Sequence, residues 1–381
     1  MRITRVTATP VRMEDTRQSS WLSESLVANP MSGYPAYKER RSSWGPRWGR
    51  EVLVRIATDD GLEGIGGTAP APARSLIEEH FAHLLAGQDP FDIEMLWDQM
   101  FRSSLPYGRK GLPIMAISAV DIALWDLIGK ATGQPVWRLL GGKTKDAIPI
   151  YSTGNDVAKY HALGFTRFKL AMPHGPADGY AGMKGNIALV ERTRELVGPD
   201  ADIMLDCYMA WNVEYTLQMA RLLEPYRLRW IEECLPPDDY EGYAELTAKI
   251  ASTTVATGEH EYTRYGFKEL IARRCCHILQ PDLAWVGGIT EARKIVAMAS
   301  AWGLEVIPHA GGLQPWALHL IASQINCPLA EWVVVGNPGE ENPLRSLHPY
   351  FVGAPTPVDG FIRPSDAPGI GISIDPVAFL E

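Results

Sequence analysis

Five short apolar runs, each ending in an acid or a histidine, dominate the hydrophobic pattern of the chain. They read Ile203-Met204-Leu205-Asp206, Trp230-Ile231-Glu232-Glu233, Val255-Ala256-Thr257-Gly258-Glu259-His260, Ile278-Leu279-Gln280-Pro281-Asp282 and Val306-Ile307-Pro308-His309. Their polar ends recur at spacings of 23 to 27 residues. The stretches between them, such as Glu214–Leu223 and Thr290–Trp302, carry helical periodicity. A strand, a helix and two loops fill that length in a parallel (β/α) barrel. Barrel strands are predicted at Ile148–Ser152, Arg167–Ala171, Asp202–Asp206, Leu228–Glu232, Thr254–Glu259, His277–Gln280, Glu305–His309 and Pro328–Trp332. One polar side chain then stands at the carboxyl end of each of five successive strands, on the face where such barrels carry their chemistry.

Upstream, Arg2–Val11 alternates apolar and polar residues and predicts a strand. Met13–Trp48 is rich in Ser, Pro, Gly and aromatics and predicts a long loop, a kind of segment that often serves as a lid. Glu51–Thr58 and Leu62–Gly67 flank the hairpin signal Asp59-Asp60-Gly61. Ala73–Leu85 and Phe91–Phe101 predict helices. Ile114–Thr132 is the strongest helix: Ile117, Val120, Leu124 and Leu127 recur on one face, and Gly133 is placed to end it. Asp121 and Asp126 inside it read as structural, at a helix–barrel or subunit contact. Gly64-Ile65-Gly66-Gly67-Thr68-Ala69 matches a relaxed dinucleotide-binding fingerprint. It follows a hairpin return and runs into Pro70 and Pro72 without a βαβ unit, so it reads as a glycine-rich strand end.

The polar ends have a chemical reading. A single acid at a strand end is ordinarily solvated, but Asp206, Glu232 and Glu259 in register would repel unless a cation sat among them. Hard carboxylate oxygens without Cys or His favour Mg²⁺. Asp282 beside His309 would stabilise the imidazolium and bring the ring into the range of a general base. Lys169, on the second predicted strand, points at the mouth and suits a substrate carboxylate. The loop Pro173–Asn186 after that strand, with His174, Asp178 and glycine joints, is positioned to close over a substrate.

Composition narrows the setting. A chain of 381 residues suits a barrel plus a further domain. The net charge of −9 argues against nucleic acid as a partner, though not against an anionic substrate, because a local cation can dominate the field of a site. The cysteines (Cys207, Cys234, Cys275, Cys276 and Cys327) are odd in number and form no CxxC, which fits a reducing compartment. The first residues lack a signal-peptide pattern, and no run reads as long and apolar enough to cross a membrane. A cytoplasmic protein without a membrane partner is expected.

The array resembles the enolase superfamily, in its mandelate racemase-like branch, and within that branch the L-rhamnonate dehydratases. The likeness is carried by Met204-Leu205-Asp206-Cys207, Trp230-Ile231-Glu232-Glu233-Cys234-Leu235-Pro236-Pro237, Thr257-Gly258-Glu259-His260, Gln280-Pro281-Asp282 and Pro308-His309. Ala123-Leu124-Trp125-Asp126-Leu127 and Leu139-Leu140-Gly141-Gly142 add to it. The resemblance implies a (β/α)₇β modified TIM barrel with an α+β capping domain completed by the C-terminal tail. The expected division is 1–142 for the cap, 143–342 for the barrel and 343–381 for the tail. It implies Asp206, Glu232 and Glu259 as Mg²⁺ ligands and His309 with Asp282 as the catalytic dyad. It also implies substrate contacts from Glu331, from Arg41 in the N-terminal loop and from His260. His260 would face away from Glu259 on a regular strand. The branch's Lys-x-Lys pattern has Ala171 in its second position here, which removes one base and disfavours two-base racemisation.

The activity implied is dehydration of a sugar acid to a 2-keto-3-deoxy acid. Ser20-Trp21 and Ala310-Gly311-Gly312-Leu313-Gln314-Pro315-Trp316 depart from the dehydratase pattern, and both are expected to touch the distal end of the sugar. A cycloisomerase, an epimerase or a catalytically silent ligand-binding relative stands as the alternative. The family also implies a homo-oligomer.

Overall fold

The structure, a computed structural model, describes residues 1–11, 27–37 and 51–379. Arg41 and Ser20-Trp21, together with most of the expected lid, lie outside the described residues. The cap opens with an antiparallel sheet, β1 (Ile3–Val11), β2 (Glu51–Thr58) and β3 (Glu63–Pro70), in that spatial order. The β2–β3 turn is the expected hairpin: Gly61 takes φ +86° and the Thr58 hydroxyl donates to Asp60 at 2.6 Å.

The glycine-rich run lies inside β3, and packing explains it. A Cβ on Gly64 would stand 2.2 Å from the carbonyl oxygen of Ala123, and one on Gly66 2.2 Å from that of Ala119. The missing side chains let the helix Leu112–Thr132 lie directly on the sheet. That helix is buried on every side from Ala116 to Gly129 because the barrel covers its other face. Asp121 accepts from Thr290 N at 3.0 Å, and Trp125 Nε1 donates to the Thr290 hydroxyl at 2.9 Å. Asp126 accepts from Ile65 N and Ile370 N, both at 2.8 Å, and pairs with Lys130 at 2.6 Å. Both aspartates are therefore structural, joining cap, barrel and tail. The expectation about membrane-length runs needs correcting here. Leu112–Thr132 is long and apolar enough to cross a membrane, but 89% of its most apolar stretch is buried inside the protein.

Eight parallel strands follow: β4 (Ile148–Thr153), β5 (Arg167–Ala171), β6 (Asp202–Asp206), β7 (Trp230–Glu232), β8 (Thr254–Thr257), β9 (Ile278–Leu279), β10 (Glu305–Val306) and β11 (Ala330–Val333). A helix follows each of the first seven, which gives the (β/α)₇β order. The strands pair in the sequence β10-β9-β8-β7-β6-β5-β4-β11. The seam between β10 and β11 is bridged from flanking loops, Val306 N to Asn326 O at 2.8 Å and Gly312 N to Glu331 O at 2.9 Å. A separate apolar cluster of Tyr151, Met204, Trp230, Ala256, Ile278, Ile307 and Leu329 fills the bore. The tail reaches both domains: Phe361–Ile362 pairs antiparallel with β4, and Phe379 bridges to Val11.

The proposed closing loop at 173–186 is a second correction. Gly179 already begins the helix Gly179–Val197, and Gly182 and Gly185 lie within it. They leave room for His174, whose backbone is held at both ends by the Asn186 amide, with N–H donating at 3.2 Å and C=O accepting at 3.0 Å.

Adding one methyl at Gly66 should cost about 1–3 kcal/mol of stability, the usual penalty of overpacking. Urea unfolding of Gly66→Ala reads this directly. Wild-type stability would mean that the helix does not need the close approach.

Candidate active site

Asp206 and Glu232 end β6 and β7 and are register partners. Glu259, Asp282 and His309 lie two to three residues beyond the last ladder residues of β8, β9 and β10. Those three strands are therefore shorter than predicted, and irregular backbone aims their polar ends. Gly258 takes φ +126°. Tyr208, Met209, Glu233 and Ala310 adopt φ of 44°, 60°, 44° and 52° just after Asp206, Glu232 and His309. Left-handed non-glycine residues cost about 1–3 kcal/mol each and cluster where function over-determines the backbone.

Lys169 is fully enclosed and does not reach out towards bulk solvent. Its ammonium lies 2.6 Å from Glu232 Oε1, 2.9 Å from Glu331 Oε1 and 3.6 Å from Asp206 Oδ2. The remaining oxygen of Glu232 accepts from Trp230 Nε1 at 2.9 Å and Gln280 Nε2 at 2.7 Å. Glu331 also accepts from the Thr153 hydroxyl at 2.5 Å and from Ala310 N at 2.7 Å. Glu331 lies within β11, one residue after its start and two before its end. Burial pushes the Glu232 carboxyl up to about 8, with Lys169 pulling back and Asp206 and Glu331 adding to the rise. Burial would raise Glu331 too, but Lys169 and His309 outweigh it and hold the carboxyl at about 2.

His309 Nδ1 donates to Asp282 Oδ2 at 2.7 Å, leaving Nε2 3.3 Å from Glu259 Oε1. Asp282 is itself fixed by Ala284 N at 2.7 Å and by the Gln314 amide at 3.0 Å to each oxygen. Trp316 Nε1 orients Gln314 at 2.9 Å. Gln314 and Trp316 thus back the dyad, a role the sequence reading did not assign them. Burial lowers the affinity of His309 for its proton, yet Glu259 and Asp282 overcome this and raise the imidazole to about 10.

His260 is brought in, not turned away, because the strand ends at Thr257 before reaching it. Its Nδ1 lies 2.9 Å from both oxygens of Glu233, and its Nε2 3.9 Å from Glu259. Glu233 escaped the sequence reading, although the doubled acid after β7 was its signal. The half-buried Trp285 ring stands 5.4 Å from the His260 ring and 5.5 Å from the His309 ring.

Among the described residues, the ligand atoms that all lie within 4.8 Å of one another belong to Glu233, Glu259 and His260. That group is largely an ion pair satisfied by its own hydrogen bonds. Asp206, Glu232 and Glu259 do not draw in as closely, since Lys169 holds Glu232 and His309 holds Glu259. The charge balance nevertheless fits a hard divalent cation. Six buried carboxyls (Asp206, Glu232, Glu233, Glu259, Asp282 and Glu331) face three basic groups, Lys169, His260 and His309. Asp206, Glu232 and Glu259 offer oxygen alone, the donor type Mg²⁺ takes.

Comparison with known proteins places this geometry. The family model for the enolase C-terminal domain-like fold matches residues 153–378. That of the mandelate racemase / muconate lactonizing enzyme N-terminal domain matches residues 48–141. The chain belongs to the enolase superfamily, in its mandelate racemase-like branch. The L-rhamnonate dehydratase of Saccharopolyspora erythraea is 41% identical over 371 residues, 96% of this chain and 94% of the relative. The crystal structure of rhamnonate dehydratase from Gibberella zeae complexed with Mg superposes with a TM-score of 0.93 at 38% identity, covering 99% of this chain and 95% of that one. The 3,6-anhydro-D-galactonate cycloisomerase of Zobellia galactanivorans superposes at 0.78 with 27% identity, covering both chains fully. These enolase-superfamily neighbours share the barrel and cap.

Glu331 contributes stability above its unfolded pKa, near 4.5, and loses it as the pH falls towards its folded value of about 2. Glu331→Gln should therefore be less stable than wild type at pH 7, with the gap closing through that window. Urea unfolding at pH 7, 4.5 and 3 measures it, and a gap independent of pH would refute the assignment.

Proposed function

We propose that this chain is a Mg²⁺-dependent hydro-lyase that dehydrates a sugar acid to the 2-keto-3-deoxy acid. The carrying observation is the His309–Asp282 dyad facing buried carboxylates, in a chain 41% identical over nearly its whole length to an L-rhamnonate dehydratase. Asp206, Glu232 and Glu259 hold the metal. When bound, Mg²⁺ supplies Lewis-acid stabilisation of the charge that develops on the substrate carboxylate, a contribution on the order of several kcal/mol.

The chain's own residues do the rest. Asp282 fixes the His309 tautomer, so Nε2 faces the substrate as the base that takes the C2 proton. The excess proton affinity of the imidazole comes from the carboxylate of Glu259 at 3.3 Å. As a metal ligand, Glu259 would pull less on the ring, which would bring the imidazole towards the working range. The protonated His309 then returns its proton to the 3-hydroxyl, which leaves as water, and the enol tautomerises to the ketone. Lys169 supplies the positive charge towards which the substrate carboxylate is drawn, and Glu331 holds that ammonium in place. His260, oriented by Glu233, is placed to hydrogen-bond a substrate hydroxyl. Arg41 keeps its proposed role at the substrate. Ala171 offers no second base, which favours elimination over epimerisation.

L-Rhamnonate is the leading substrate, and sugar acids of the same C2 and C3 configuration come next. A cytoplasmic, homo-oligomeric enzyme acting without nucleic acid or membrane partners completes the proposal. Its reducing compartment draws support from five buried cysteines, all of them free.

Incubating the protein with Mg²⁺ and a panel of sugar acids, L-rhamnonate and its C4 and C5 epimers included, should yield a 2-keto-3-deoxy product that EDTA abolishes. In His309→Asn, kcat should fall by about 100- to 10,000-fold, the usual worth of a general base, while Mg²⁺ binding measured by calorimetry survives. Full turnover in that variant would sink the mechanism.

A further inference from the structure

Glu261 follows Glu259 and His260 directly, yet it faces away from the mouth, into the seam beneath the cap. Its carboxylate is 2% exposed. It accepts from Tyr262 N at 2.7 Å and from the Tyr240 hydroxyl at 2.5 Å. The counter-charge comes from the other domain. Lys110, on the cap loop between the helices Ile93–Ser104 and Leu112–Thr132, places its ammonium 3.0 Å from Glu261 and 2.9 Å from Asp238. Gly266 supplies the room, since a Cβ there would fall 2.1 Å from Glu261 Oε1.

Two further observations give this contact its weight. The segment carrying Glu259 and His260 lies between two left-handed residues, Gly258 at φ +126° and Thr263 at φ +58°, so its course is not held by a strand ladder. On its cap side the segment borders an open pocket. This pocket, of about 490 Å³, is lined by Phe101, Arg109, Lys110, Tyr240 and Tyr262 among others. The Lys110–Glu261 pair is the charged contact by which the cap reaches this segment.

We propose that the Lys110–Glu261 pair is a latch through which the cap positions the β8 loop, making Lys110 a positioning residue for the metal ligand Glu259. The proposal rests on the ligand assignment given above. Breaking the pair leaves Glu261 buried without its ammonium, a situation proteins relieve by shifting the chain or bringing in water. Either movement displaces Glu259, two residues away. The cap then controls metal affinity.

The test uses the full chain stripped with EDTA and titrated with MgCl₂ alone by calorimetry. In Lys110→Met, Mg²⁺ affinity should fall about tenfold, the lower end for residues that orient metal ligands. Far-UV circular dichroism and cooperative melting should be retained. Lys110→Arg should restore most of the affinity. Lys143→Met, which breaks the Lys143–Asp366 pair to the tail, should bind Mg²⁺ as wild type does. If Lys110→Met fails to fold, Glu261→Gln, which keeps shape and hydrogen bonding, should show weakened binding in its place. Folded Lys110→Met with wild-type affinity overturns the latch, as does equal weakening in Lys143→Met. Absence of Mg²⁺ binding by the wild-type chain overturns the ligand assignment and the latch together.

Discussion

Six carboxyl groups buried at one end of a barrel are the constraint on which the structure depends. Taking a charge out of water costs several kcal/mol even after relaxation, and like charges add to it. The chain answers with a lysine at the centre. Lys169 projects from β5 between Asp206, Glu232 and Glu331, where the rest of the bore is filled by aromatic and aliphatic side chains. Much around it serves to finish these hydrogen bonds: Trp230 and Gln280 on Glu232, Thr153 and Ala310 N on Glu331, Gln314 and Ala284 N on Asp282. Even so, three basic groups do not match six acids, and the excess suits the mouth to a cation.

The same imbalance shapes the chemistry. His309 sits between a carboxylate that orients it and one that overcharges it, so its basicity depends on what else Glu259 touches. His260 repeats the arrangement with Glu233, and Trp285 stands beside both rings. The mouth thus presents an apolar ring flanked by two oriented imidazoles. The cap closes the account from above: helix Leu112–Thr132 binds sheet to barrel through Asp121 and Asp126, and Lys110 reaches the loop that bears Glu259.

The strand ends were legible in the sequence because chemistry and periodicity coincide there. Asp206 and Glu232 end their strands as read, and Asp282 meets His309. Elsewhere the reading failed for physical reasons. A two-residue period cannot foresee that the chain leaves the ladder at Thr257, so periodicity alone turned His260 away while the resemblance kept it in the site. Lys169 was read at the mouth, but its partners Asp206, Glu232 and Glu331 come from other strands and no local pattern points to them. The glycines at 182 and 185 read as joints, yet they make room for His174 within a helix. The backing role of Gln314 and Trp316 went unread because nothing local shows that Asp282, some thirty residues earlier, is their partner.

The central claim is that His309 removes the proton at C2 and that the 3-hydroxyl then leaves. Running the reaction on L-rhamnonate in D₂O and reading the product by NMR tests this most directly. Abstraction, loss of water and tautomerisation predict one solvent deuterium at C3 of a 2-keto-3-deoxy product, with no deuterium in the recovered substrate if elimination follows abstraction promptly. Deuterium at C2 of intact substrate with no product, or product free of deuterium at C3, would contradict it.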